Sequence, residues 1–390
     1  MVNREQSAHY HRDAKKKFQQ VGAGDRPSAP ARAAAAMNDR HRLSVVCAML
    51  SARQGGLEQS LLDYCEALTR QGHRVLAVTH PDWPGARELA QMPLEHATCR
   101  SFGEWDPLAM LRLRRLFGSV GAAIALTIGR RASALARRAL AAMPDLPQVA
   151  VTPNYSLKQL VGVDHVLATT EDLRRALIQA GQPAERITVI PNMVRLPPDA
   201  EAVPAAPVEE PVIGTVGRFV AKKGFLQLID ALALLHERGH RLRVRLAGGG
   251  PQHQALRARA AERGLGDHIE FLGWITDKRA FFAGLDVFCV PSLHEPFGIV
   301  VLEGFAHGRA TIVTDAEGPA QIVRDGVDAI MVPRDDPVAL ADAIARLLDD
   351  PELRHRLGQS ALASVRERYE LDVVAAQISH TLQRLMDERR

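Results

Sequence analysis

A doubly wound α/β fold, built twice over, is what this 390-residue chain predicts, and three observations carry the prediction. Short apolar, β-branched runs alternate with helical stretches from residue 43 onward. The alternation stops once, at 195–211, where proline, alanine and acid replace any periodicity. Glycines gather where the runs end, at Gly55, Gly56, Gly217, Gly248, Gly249 and Gly298. Alternation of this kind gives parallel strands with helices on both faces. The aperiodic stretch then reads as a linker between two such layers.

The expected organisation is a disordered tail at 1–40, a first domain at 41–196, a linker at 197–211, a second domain at 212–370, and a helix at 371–390 packing back toward the first. The tail is polar, basic and finally alanine-rich, without an apolar pattern. Met37 stands just before the first strand and is a second candidate start. In the first domain, strands are expected at 43–50, 74–79, 122–128, 149–152, from 166, and at 187–192. Residues 82–103 are expected to be irregular. Pro107 opens a helix at 108–117, apolar on one side and basic on the other, and Thr170 caps another. The second domain repeats the order, with strands at 212–217, 242–247, 269–272, 287–290, 311–313 and 330–332. Residues 351–390 read as amphipathic helix.

Composition bounds the function. The chain is 46% hydrophobic and 24% charged, as soluble globular proteins are. No apolar run is long enough to span a membrane, and no signal-peptide core is present at the amino terminus. Cys47, Cys65, Cys99 and Cys289 are scattered without metal-ligand spacing, so reduced thiols in a cytoplasmic protein are expected. A net charge of +4 permits contact with an anionic membrane face and does not argue for nucleic acid.

The chemistry concentrates in Val290-Pro-Ser-Leu-His-Glu-Pro-Phe-Gly-Ile-Val-Val-Leu-Glu303. A buried strand ends there, Pro291, Pro296 and Gly298 break the backbone, and a helix resumes. That is the place where open α/β sheets bind ligands. Glu295 lies on the loop and Glu303 in the second helical turn, with the N–H groups around Phe297, Gly298, Ile299 and Val300 between them. A helix amino end suits a phosphate, and flanking carboxylates suit sugar hydroxyls. Gly217-Arg218 and Lys223-Gly224 follow the first strand of the second domain on the same edge. Two bases converging there would neutralise a diphosphate. Gly248 and Gly249 leave room on that edge for a flat ligand.

These motifs resemble the retaining, nucleotide-sugar-dependent glycosyltransferases of the GT-B fold, the family 4-like "group 1" enzymes, across nearly all of the chain from residue 43. The most specific is the pair Glu295 and Glu303 with seven residues between them, inside Pro-Ser-x-x-Glu-Pro-Phe-Gly. The resemblance implies that Arg218 and Lys223 hold the donor diphosphate and that Glu303 binds the ribose. It implies that Glu295, with the backbone from Phe297 to Val300, holds the transferred sugar. Gly55, Gly56 and Asn154 would line the acceptor side of the cleft. No metal or other cofactor is implied. The expected partners are a nucleotide sugar and a glycan or lipid-linked acceptor, with peripheral contact at the inner membrane face and no nucleic acid. Two positions depart from the family pattern: Pro153 or Asn154 stands where relatives carry a histidine, and Gln321 stands where they often carry glutamate. A neutral amide at 321 would suit a hydroxyl or a uracil edge. A nucleotide-sugar 2-epimerase and a catalytically silent nucleotide-sugar binder are the alternative readings.

Overall fold

The computed structural model describes residues 42–52, 56–152, 154–202, 204, 206 and 209–390. The expected tail at 1–40, and Gly55 and Pro153, lie outside these. Leu43–Arg390 forms one compact unit. It contains two parallel sheets, each wrapped in helices, which is the GT-B architecture.

The first sheet holds β1 (Ser44–Met49), β2 (Arg74–Thr79), β3 (Glu95–Thr98), β4 (Ile124–Ile128), β5 (Gln148–Thr152), β6 (His165–Ala168) and β7 (Ile187–Val189), in the order β3-β2-β1-β4-β5-β6-β7. The second holds β8 (Val212–Val216), β9 (Arg243–Ala247), β10 (Ile269–Gly273), β11 (Val287–Val290), β12 (Ala310–Thr314) and β13 (Ile330–Val332), in the order β10-β9-β8-β11-β12-β13. The helices are α1 (Gly56–Arg70), α2 (Ala86–Leu89), α3 (Pro107–Ser119), α4 (Arg130–Leu140), α5 (Glu171–Gln179), α6 (Phe225–Glu237), α7 (His253–Glu262), α8 (Lys278–Ala283), α9 (Ile299–Ala306), α10 (Pro319–Ile322), α11 (Pro337–Asp349), α12 (Pro351–Ser364) and α13 (Leu371–Asp387).

The strands are nearly continuous apolar runs because both faces of each sheet are covered. Along β1 the side chains alternate between two cores. Val45, Cys47 and Met49 meet α1 and α13 on one face, while Val46 and Ala48 meet α3 and α4 on the other. The second sheet is divided likewise, with Val287 and Cys289 on one face and Phe288 and Val290 on the other. Leu371, Val374, Ile378 and Leu382 place α13 in the core of the first sheet, so the chain's last helix crosses back. Among the described residues, no helix is long and apolar enough to cross a membrane.

One sequence expectation fails. Residues 82–103 contain the edge strand β3, whose Glu95 and His96 are exposed and whose pairing is to β2 alone. The stretch at 351–390 is helical in two pieces, α12 and α13. A π-turn at Val365–Tyr369 and an extended Glu370 interrupt it where the backbone bonds to Val194.

Candidate functional site

In both sheets the strand order reverses once, between β1 and β4 and between β8 and β11. The loops leaving the two strands at such a reversal diverge and open a crevice at their carboxyl ends. In the second sheet those loops are 217–224, after β8, and 291–298, after β11. They are fitted to one another through glycines. A Cβ on Gly224, which has φ +66°, would fall 1.8 Å from the Pro291 carbonyl oxygen. Gly248, with φ +133°, approaches the Gly217 carbonyl so closely that a Cβ would stand 1.9 Å away. Backbone bonds tie the same edge together, from Gly217 N to Ala247 O at 3.0 Å and from Phe219 N to Gly249 O at 2.9 Å. The amides of Leu293 and His294 donate to the Lys222 carbonyl at 2.9 and 3.1 Å.

Two of the helices that start on this edge, α6 and α9, have open amino ends. Other helices are capped by aspartate or threonine side chains, as α3 is by Asp106, α5 by Thr170 and α11 by Asp336. α6 follows Gly224 and α9 follows Gly298, both left-handed, and neither has a side-chain cap. The first N–H groups of α9 therefore keep their hydrogen-bonding capacity and the positive end of its dipole. Phe297 is buried in the core, whereas Ile299 and Val300 are half-buried.

The charged groups sit in pairs. Lys223 Nζ is bonded to Glu295 Oε2, both side chains being largely covered. Glu303 on α9 is paired with Lys278 on α8, and its carboxylate is mostly buried beside an exposed ammonium. Arg218 is exposed and forms no ion pair among the described residues. Behind the Glu295 loop stands Glu317. Its carboxylate accepts from the Glu295 amide at 3.1 Å, from Arg334 Nη1 at 3.0 Å, and meets His294 Nδ1 at 3.1 Å. Burial pushes this carboxyl up, but the hydrogen bonds from its own amide, His294, the Glu295 amide and Arg334 outweigh it and hold it down at about 2. Gly318 N closes the loop by donating to the Glu295 carbonyl at 2.7 Å.

The first half meets this edge across a cavity of about 410 Å³. Asn154, Tyr155 and Ser156 line one wall, and Lys222, His294, Glu295, Pro296 and Glu317 line the other. Asn154 Oδ1 accepts from Ser156 N at 2.9 Å, which holds the turn. Burial, with the nearby charges of Asp172 and Glu317, raises the Tyr155 hydroxyl above its usual range. Gly56 opens α1, and Gly55 beside it lies outside the described residues.

The structure thus brings Glu295 and Asn154 to one cavity. It sets Lys223 behind Glu295, and Glu303 one helix turn deeper. Sequence reasoning missed Lys278, Glu317, Arg334, His294 and Trp274. The indole of Trp274 is 70% exposed directly after β10, beside Gly249, where a Cβ would lie 2.9 Å from its Nε1. Gln321 is also engaged within the protein: its carbonyl accepts from Asp172 N at 3.1 Å and its amide donates to Glu317 O at 2.8 Å.

Comparison with known proteins matches the two halves separately. Residues 54–196 match the family described as Glycosyltransferase Family 4, and residues 198–363 match Glycosyl transferases group 1. The chain belongs to these glycosyltransferases. It is 37% identical over 210 residues to the lipopolysaccharide core biosynthesis glycosyltransferase LpsD of Rhizobium meliloti, a match covering 53% of this chain and 60% of that one. To LpsE of the same organism it is 39% identical over 153 residues, 39% of this chain and 44% of the relative. The chain therefore matches about half the length of these curated relatives. Among solved structures, Anabaena HepE in complex with UDP superposes with a TM-score of 0.76 at 22% identity, covering 88% of this chain and all of that one. At that identity the likeness speaks for the shared fold.

Proposed function

We propose that the protein transfers a sugar, with retention of configuration, from a nucleoside diphosphate sugar to an acceptor hydroxyl in a cell-envelope glycan. The observation that carries this reading is the pairing of Lys223 with Glu295 at the strand-order reversal, beside the uncapped amino end of α9. An arriving diphosphate competes with Glu295 for Lys223 and draws on Arg218 and the α9 N–H groups. Glu295, released from its partner, accepts hydrogen bonds from the sugar. Glu303 accepts them from the ribose hydroxyls, and the exposed face of Trp274 offers a stacking surface to the base. The acceptor oxygen bonds to the anomeric carbon as the bond from that carbon to the phosphate oxygen breaks. The acceptor's proton passes to the departing phosphate oxygen, and Lys223 and Arg218 stabilise the charge that develops there. In this proposal basic side chains and a helix end do the charge work, with no metal ion. Asn154 and Tyr155 face the sugar from the acceptor side.

LpsD and LpsE, named for lipopolysaccharide core biosynthesis, support an envelope acceptor, and a UDP complex of HepE supports UDP as the first nucleotide to try. Peripheral membrane contact, with the protein otherwise cytoplasmic, is part of the proposal and falls to α3. Trp105 and Leu108 are 76% and 77% exposed, and Leu111, Arg112 and Arg115 continue that face along the helix. Apolar side chains flanked by arginine fit an anionic bilayer surface. Binding to anionic vesicles that weakens with salt and in Leu108→Asp is expected. Complete recovery in the soluble phase at low salt would remove the membrane from the proposal. The transfer itself is tested by incubating the protein with UDP-, GDP-, ADP- and TDP-sugars and following release of the nucleoside diphosphate. One responsive donor, lost in Glu303→Ala, is the expected result; binding without release even with glycan extracts present would indicate a silent binder.

A further inference from the structure

We propose that Gln321 is a positioning residue that sets the width of the cleft by tying the loop that carries Glu295 to the amino end of α5. The inference deepens the reading of this cleft as a sugar-transfer site and names what holds its two walls in register. The tie is a continuous set of hydrogen bonds. The Glu295 amide donates to the Glu317 carboxylate at 3.1 Å. The Glu317 carbonyl accepts from Gln321 Nε2 at 2.8 Å, and Gln321 Oε1 accepts from the Asp172 amide at 3.1 Å. Asp172 lies in the first turn of α5, where free N–H groups need an acceptor. The bond therefore passes from the second sheet's helices to the first sheet's without going through the α13 crossing. It sits beside the cavity that Tyr155 and Glu317 line from opposite sides.

The geometry requires an amide. One atom must accept from a backbone N–H while the other donates to a carbonyl, and among side chains of this length only glutamine does both at every pH. A methionine would keep the stem and do neither. An ionised glutamate would accept from Asp172 N but face the Glu317 carbonyl with a lone pair, and its charge would sit near the carboxylates of Asp172 and Glu317. Arg175 offsets the first and Arg334 the second. His294 meets Glu317, Tyr155 lines the same cavity, and Arg324 and Arg368 lie along the far end of α10. Protonated, the same glutamate regains a donor and can restore the tie.

The test uses donor and acceptor fluorophores on Ser119→Cys and Ala261→Cys. Both positions are exposed, while the four native cysteines are buried. In ligand-free protein the wild type is expected to give one narrow distance distribution and Gln321→Met a broadened or displaced one. Gln321→Glu should match the methionine variant near pH 8 and move toward the wild-type distribution as pH falls below the ordinary carboxyl range, about 4.5, with wild type run at each pH as reference. With UDP-glucose as the probe, release of UDP should slow about fivefold or more in Gln321→Met while the Kd for UDP stays within about twofold. Identical distributions in wild type and Gln321→Met would overturn the proposal, and so would a loss of UDP affinity equal to the loss of turnover. If the wild type binds no nucleotide, the functional reading fails, while the ligand-free distributions still decide the role of Gln321.

Discussion

The two sheets share one order over six strands, the first adding β7, yet their carboxyl edges are built differently. At the second, glycines let backbone press on backbone. Gly224 meets Pro291, Gly248 meets Gly217, and Gly318 lies so close to Phe297 that a Cβ would fall 2.3 Å from its Cα. At the first, Gly103 stands in open space, Gly85 is crowded only by the Trp83 side chain, and large side chains are exposed, including Phe102 at 86%. An edge locked through its backbone cannot vary without losing the fold. An edge of loose loops can change its side chains freely. The comparison fits a division of labour in which a constant diphosphate is gripped on one side and a variable acceptor is read on the other.

The largest effect should come from breaking the locked edge. Gly224→Ala forces a Cβ into the Pro291 carbonyl at a left-handed position and should cost more than about 3 kcal/mol by denaturant unfolding. Gly103→Ala at the open edge should stay within about 0.5 kcal/mol. Equal effects would erase the distinction. Next in size, Lys223→Ala should slow turnover about 100-fold with nucleotide affinity less affected, against tenfold or less for Asn154→Ala on the opposite wall. Smaller again is the effect of Glu317. Its folded value of about 2 lies below its ordinary 4.5, so its contribution is present above 4.5 and is lost as pH falls toward 2. Glu317→Gln should therefore be about 2 kcal/mol less stable than wild type at pH 7, after allowance for partial exposure, with the gap narrowing below pH 4.5. A gap independent of pH would assign Glu317 a packing role.

Much of this was legible in the sequence because strands buried on both faces are written as uninterrupted apolar runs. The strand ends that carry the site were legible too, since glycines mark them. Strand β3 was not. Glu-His-Ala-Thr carries no apolar signature because an edge strand with two exposed residues does not need one. A separate helix from 371 was expected, but the cause of the break before it was not legible, since the apolar pattern continues through Val365 and Tyr369 and the interruption comes from a contact with Val194 about 170 residues earlier. The site shows the same limit. Glu295 and Glu303 announce themselves by spacing on one loop and helix. Their partners Lys223 and Lys278, and the Glu317 and Arg334 that brace the loop, arrive from other elements. The bond from Asp172 to Gln321 was not legible because it exists only once the two sheets face each other.

The most direct test of the central claim, that the locked edge is a nucleoside diphosphate site, is calorimetric titration of UDP and GDP into the wild type and Glu303→Ala. The account predicts that one nucleotide binds the wild type and that its Kd rises about tenfold or more in the variant, a difference of about 1.4 kcal/mol. No binding of either nucleotide to the wild type, or the same Kd in both proteins, would contradict it.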